Sequence, residues 1–129
     1  SDGDVLGAIY VSNPIYNVDM FLGIGGGPEG VLAASALDSF NCHFQGRFIF
    51  DNDKDIKEAK SMGIKDLNKK YELNEIVKGD SIFCATGITK SEVLNGITIE
   101  QDKFTSETLV THKNSKFTKI IKRINLIDE

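Results

Sequence analysis

Gly23-Ile24-Gly25-Gly26-Gly27-Pro28-Glu29-Gly30 is the stretch on which the reading of this chain turns. Five of the 12 glycines fall in these eight positions, so the backbone here is selected for freedom and close approach. An apolar, β-prone run leads in (Val18, Met20, Phe21, Leu22), and a small-residue run leads out (Val31, Leu32, Ala33, Ala34, Ala36, Leu37). A strand that ends in glycines and opens a helix presents the helix's free N–H groups to an anion, which suits phosphate. Pro28 fits the first helical turn, where its missing N–H costs nothing. Glu29 is out of place beside a phosphate, because two anions compete for one helix terminus. A divalent cation between them resolves the conflict.

Working outward, the pattern predicts an α/β fold. Asp4 caps a short helix over Val5–Val11, which Asn13-Pro14 ends. Val18–Ile24 reads as a buried strand, Pro28–Phe40 as a helix, and Gln45–Phe50 as a second strand. Asp53–Met62 reads as a polar helix with Ile56, Ala59 and Met62 on one face, stopped by Gly63. Leu73–Val77 is a helical turn before Gly79, and Ser81–Ala85 a third buried strand ending at Thr86-Gly87. Beyond Gly96, the Thr- and Ile-rich segments Ile97–Glu100, Thr105–Thr111 and Phe117–Ile124 alternate as antiparallel strands, with Asn114-Ser115 as a hairpin turn. A βαβαβ core thus precedes an antiparallel β C-terminal part, and Leu126–Glu129 reads as a frayed tail.

At 129 residues, 40% apolar and 26% charged, the chain is expected to be one domain with a core of its own. A net charge of −4 gives no reason to expect a nucleic-acid partner; the basic tail around Lys113–Arg123 reads as a solvated strand face. No apolar run approaches the roughly 20 residues of a membrane span, and no signal-peptide pattern is visible. Cys42 and Cys84 sit singly among apolar neighbours and read as buried, reduced thiols, which favours a cytoplasmic location. His43 and His112 show no metal-ligand spacing and read as structural. Asp2-Gly3-Asp4 at the very start follows no element, and with no initiator Met the chain reads as cut from a longer one.

Several motifs admit more than one reading. Gly25-x-Gly27-x-x-Gly30 matches the dinucleotide fingerprint, and Asp51 stands about 20 residues on, where a ribose ligand is expected for NAD(P). Pro28 and Glu29 in the loop argue against it, and a glycine turn selected only for packing is a third option. Asp2 and Asp4 suit hydrogen bonds from sugar hydroxyls, or a simple capped turn. Thr86-Gly87 is either a second loop facing the same crevice or a plain turn. Asp51, Asp53 and Asp55 alternate like calcium ligands but lack the turn glycine that such a loop needs.

Three segments carry a resemblance: Gly23 to Ala34, then Gln45-Gly46-Arg47, then Ala85-Thr86-Gly87-Ile88-Thr89. Together they resemble the class II fructose-1,6-bisphosphatases of bacteria, many of which also act on sedoheptulose-1,7-bisphosphate. The likeness runs over essentially the whole chain and corresponds to their C-terminal part. The spacing from Asp2-Gly3-Asp4 to Glu29 also matches. The resemblance implies a layered sugar-phosphatase architecture similar to that of inositol monophosphatases, Mn²⁺ or Mg²⁺ as cofactor, a sugar bisphosphate substrate and a homo-oligomer. It implies that Glu29 is a metal ligand and that Asp2, Gly3, Asp4 and Gly26 contact substrate. The catalytic residues are left unknown, because the remaining ligands belong to an N-terminal half. Gly27 stands where alanine is more usual, and Thr111-His112-Lys113 lacks a serine found in the family. Two other functions stay open: an NAD(P)-binding domain, and a non-catalytic domain that binds a phosphosugar.

Overall fold

The computed structural model describes residues 4–127, with side chains from residue 5. It is a mixed α/β chain that divides into two compact units, one of residues 4–38 and 42–78, the other of residues 39–41 and 79–127.

The first unit opens with helix α1 (Asp4–Ile9), followed by 3₁₀ turns at Tyr10–Ser12 and Pro14–Tyr16. The Asn13 side chain accepts from the Ile15 N–H and so starts the second turn, with Pro14 as its first residue. The capping role expected of Asp4 falls on a side chain outside the described residues.

Helix α2 (Gly27–Ser39) forms where the alanine-rich run predicts it, one residue earlier at each end. Ala33, Ala34, Ala36 and Leu37 are buried, while Val31 and Leu32 near its start are half exposed. Ala8 of α1 packs on Ala33 and Leu37, with Val11, Cys42 and Phe44 around them. Small residues at this contact let two helix backbones come close.

The strand expected over Val18–Ile24 does not form. Residues 17–26 carry no regular structure, and Leu22 and Ile24 are 80% and 81% exposed. A strand exists only through a hydrogen-bonding neighbour, and among the described residues none lies beside this segment. Phe21 is its anchor: the ring lies so close to α1 that a Cβ on Gly7 would stand 2.7 Å from it.

The second expected strand is real but shorter. Strand β1 (Gln45–Arg47) pairs antiparallel with β2 (Lys70–Glu72), Gly46 opposite Tyr71. Phe48 lies just past β1 and meets the Tyr71 ring edge-on at 5.6 Å. Between the two strands runs α3 (Asp53–Ser61), with Ala59 buried. Its cap is Asn52, whose side chain accepts from the Lys54 and Asp55 N–H groups and donates to the Asp55 carboxylate. The cap at Asn52 leaves the Asp51–Asp55 run as helix chemistry. Strand β2 leads directly into α4 (Leu73–Ile76), where Glu72 and Glu75 form a reciprocal capping box.

The second unit is a four-stranded antiparallel sheet. Strands β3 (Ile82–Thr86) and β4 (Thr98–Glu100) pair with successive parts of one edge of β5 (Lys103–His112). Strand β6 (Phe117–Leu126) pairs along the other edge over ten residue pairs, as the alternating pattern predicts. Its outer edge carries Lys119, Lys122 and Arg123, charges that discourage further strand pairing. Phe83, Leu109 and Thr111 lie buried on the inner face, while Ile120 and Ile124 of β6 on that face stay exposed, and Thr111, fully buried, donates to the Ser39 carbonyl at 3.3 Å and lies 3.0 Å from the Thr118 hydroxyl.

Candidate functional site: the glycine loop and the start of helix α2

The loop that the sequence marked as an anion site runs exposed from Gly23 into the first turn of α2. Gly26 acts as the first acceptor of the helix, its carbonyl taking the Gly30 N–H at 3.0 Å. The N–H groups of the following residues have no helical partner and point out of the terminus. Glu29 stands in this first turn with its side chain exposed. Its carboxylate folds back over Gly26, so that a Cβ on Gly26 would collide with Glu29 Oε2. Glycine at 26 is therefore a geometric requirement of where Glu29 lies. A carboxylate at this end of a 13-residue helix is favoured by the helix dipole.

Gly27 and Gly30 behave differently. A Cβ at either would meet nothing within 4 Å. In a dinucleotide fingerprint the last glycine is needed for close helix–strand packing. Here that packing is absent, the strand that should precede the loop is absent, and β1 pairs antiparallel with β2. The NAD(P) reading of Gly25, Gly27, Gly30 and Asp51 is overturned on those three grounds.

Of the other expected site residues, Asp2 and Gly3 lie outside the described residues, as does the side chain of Asp4. Among the described residues no three His, Cys, Asp or Glu side chains converge on a point that could hold a metal ion. Glu29 by itself does not make a Mn²⁺ or Mg²⁺ site, since such ions take six or more oxygen donors, some of them waters.

Thr86-Gly87 belongs to the second unit. Gly87 donates to the Glu107 carbonyl, and the Thr86 and Thr108 hydroxyls stand 2.9 Å apart across the strands. A Cβ on Gly87 would press the Asn95 carbonyl at 2.6 Å. Glu107 grips Asn95 through both its backbone and side-chain N–H groups, and these bonds hold the Glu107 carboxyl below its ordinary range. The connection from β3 to β4 thus has its own internal reason for glycine at position 87.

A cluster that the sequence did not single out lies at the β5–β6 hairpin. His112 Nε2 contacts Asp80 Oδ2 at 2.5 Å, and His112 Nδ1 lies 2.8 Å from Ser115 Oγ. The histidine beside it holds the Asp80 carboxyl below its ordinary range. Asp80 is 32 residues from His112, and only the pairing of Ile82 with His112 brings them together. Cys84 is also displaced from expectation: it is exposed, on the outer face of β3, whereas Cys42 is partly buried and its thiol is pushed up by burial. No helix among the described residues is long and apolar enough to cross a membrane.

An α/β chain with a glycine loop opening a carboxylate-bearing helix fits a phosphate-handling protein, and comparison with known proteins gives that class a family. The profile of the family described as "Bacterial fructose-1,6-bisphosphatase, glpX-encoded" matches residues 1–125, and the chain belongs to that family. It is 31% identical, over its whole length, to a D-fructose 1,6-bisphosphatase class 2/sedoheptulose 1,7-bisphosphatase of Trichodesmium erythraeum, covering 41% of that protein. A protein of the same description from Thermosynechococcus vestitus is 30% identical, again with 41% covered. One from Prochlorococcus marinus (strain MIT 9515) is 35% identical over 85% of this chain and 37% of its own length. The chain therefore spans about two fifths of these relatives.

Proposed function

We propose that this chain is the C-terminal part of a metal-dependent phosphatase that removes the 1-phosphate of fructose-1,6-bisphosphate, with sedoheptulose-1,7-bisphosphate as a second substrate. The observation that carries the reading is the Glu29 carboxylate folded over Gly26 at the start of α2, in a chain matched along its length by this family. On this reading the α2 terminus and the loop N–H groups hold the phosphate, and Gly26 lets its oxygens approach the backbone. Asp2, Gly3 and Asp4 orient the sugar through its hydroxyls. Glu29 is one ligand of the Mn²⁺ or Mg²⁺ that supplies Lewis-acid polarisation of the phosphoryl group. The remaining ligands and the catalytic groups come from polypeptide beyond this chain, which forms a single domain of the longer enzyme. The enzyme works in the cytoplasm as a homo-oligomer, in gluconeogenesis, glycerol metabolism or the Calvin cycle.

The test is a chimera in which this chain replaces the matching 41% of the Trichodesmium relative. Phosphate release from fructose-1,6-bisphosphate in Mn²⁺ is compared with that of its Glu29→Gln form, with circular dichroism as the folding control. A neutral amide is a poor ligand for a hard cation, so the rate falls on the order of 10³-fold. Near-normal release by a folded Glu29→Gln chimera removes Glu29 from the reaction.

A further inference from the structure

Asn95-Gly96 is the one Asn-Gly pair in the chain, and the fold fixes both of its members. A Cβ on Gly96 would stand 2.7 Å from the Ile88 carbonyl oxygen and 2.7 Å from the Lys90 nitrogen, both of them backbone atoms with little room to give. Packing therefore requires glycine at 96. Asn95 is matched to Glu107 of β5, which accepts three hydrogen bonds from it. The Asn95 backbone N–H donates at 2.8 Å, and Nδ2 donates to the two carboxylate oxygens at 3.0 and 3.1 Å. An ionised carboxylate only accepts, so it needs an amide opposite it and not a second acid.

The pair that the packing demands is also chemically labile. Asparagine is a thermolabile residue, and a following glycine, with no side chain in the way, lets the next backbone nitrogen reach the amide carbon. The Gly96 nitrogen, on losing its proton, bonds to Asn95 Cγ. The Cγ–Nδ2 bond breaks, and that nitrogen takes up a proton and leaves as ammonia. Water then opens the five-membered imide at one carbonyl or the other, giving aspartate or isoaspartate at 95. One water is consumed, one ammonia is released, and nothing is oxidised or reduced. Asn95 is exposed, so water reaches it. Among the described residues no hydrogen bond engages the Gly96 N–H. What opposes the reaction is Glu107, which holds the nitrogen that has to leave and fixes the direction of the side chain.

We propose that Asn95 is a site of spontaneous modification, kept as an amide by Glu107 and converted to an acid at a rate that this clamp sets, and that the conversion loosens the β3–β4 connection. The product has lost the Nδ2 donors, and its new carboxylate faces the Glu107 carboxylate, where like charges repel. The Glu107 carbonyl also accepts from the Gly87 N–H, so one residue of β5 anchors the connection at both 87 and 95. The change runs one way, since the ammonia is lost to solvent. The proposal is independent of the chemistry assigned to the glycine loop, and its test involves no phosphate release.

The test incubates the chain at mildly alkaline pH and follows the tryptic peptide of residues 91–103, in which Asn95 is the one asparagine, by mass spectrometry. The same peptide, synthesised and free in solution, sets the unclamped rate. The folded chain is expected to deamidate at least tenfold more slowly than the free peptide. Glu107→Ala, with the circular dichroism of the parent, is expected to react at least fivefold faster than the parent. Thr111→Val, which weakens the same unit without touching the pair, stays within twofold of the parent and so separates loss of the clamp from general unfolding. The product is reproduced by Asn95→Asp, which is expected to lower the urea midpoint at neutral pH, and Glu107→Gln added to it restores the midpoint by supplying a donor. A folded chain that reacts as fast as the free peptide overturns the proposal, as does a folded Glu107→Ala chain no faster than the parent. An Asn95→Asp midpoint equal to the parent's overturns the claim that conversion loosens the connection.

Discussion

The Glu29 carboxylate occupies the space into which a side chain at Gly26 would project. The two residues are three apart, across the first turn of α2, and the clash is with the end of a flexible side chain. Gly26→Ala is therefore expected to leave α2 folded and to swing Glu29 away from its position. In the chimera described above, a displaced ligand costs on the order of 10²-fold in phosphate release, since an ångström of misplacement has that effect on a reacting constellation. Gly27→Ala, where a Cβ meets nothing, serves as the control and is expected to stay near the parent rate. Equal rates for Gly26→Ala and the parent would mean that Glu29's placement over Gly26 has no part in turnover.

The 129-residue chain by itself is expected to release no phosphate from fructose-1,6-bisphosphate above the chelator-treated blank. Among its described residues too few metal-ligating side chains come together for the two-cation clamp that phosphoryl chemistry commonly uses. Chelator-sensitive turnover by the purified chain would show that its own residues suffice.

Thr111→Val is expected to destabilise the chain by about 1–2 kcal/mol, read as a lower denaturation midpoint. Thr111 is fully buried, and its hydroxyl donates to Ser39 and meets Thr118, so the isosteric change removes hydrogen bonding and leaves partners unsatisfied. Leu109→Ala, on the same inner face, should cost about 2–5 kcal/mol through the cavity that it leaves. A midpoint unchanged by either substitution would place the core of this unit elsewhere.

Acid should weaken the β5–β6 hairpin through Asp80. The His112 contact holds the Asp80 carboxyl below its ordinary value. A carboxylate with a lowered folded-state pKa contributes stability above its unfolded pKa, about 3.9, and loses it as the pH falls through the folded value. Asp80→Asn is therefore expected to lower the urea midpoint at neutral pH, with the difference from the parent closing below about pH 4. A difference that persists unchanged into strong acid would assign the effect to something other than this carboxylate.

The two thiols should separate cleanly by reactivity. Exposed Cys84 is expected to react with an aromatic disulfide within the ordinary range of a free thiol, and Cys42 several-fold more slowly, because burial disfavours its thiolate. Equal rates would remove Cys42 from the packed cluster around Ala33 and Leu37.

Short-range chemistry was enough to read much of this chain. Helices α2 and α3 and the β5–β6 hairpin lie within a few residues of their predicted places, because caps, alanines and strand alternation act over neighbours in sequence. The glycine loop and Glu29 were legible for the same reason: a turn, a helix start and a misplaced carboxylate fall within eight residues. Pairing was a different matter. Residues 18–24 have strand-like composition but find no neighbour, and β1 joins β2 from 25 residues on rather than a parallel strand before the loop. Asp80 and His112 meet because β3 and β5 register Ile82 against His112, and Glu29 reaches over Gly26 because a side chain turned back along the helix start. Local propensity is a property of each segment, whereas a sheet's hydrogen bonds and a side chain's direction belong to whatever the rest of the fold places beside it. The tertiary structure therefore decided which strands pair and which carboxylates have partners.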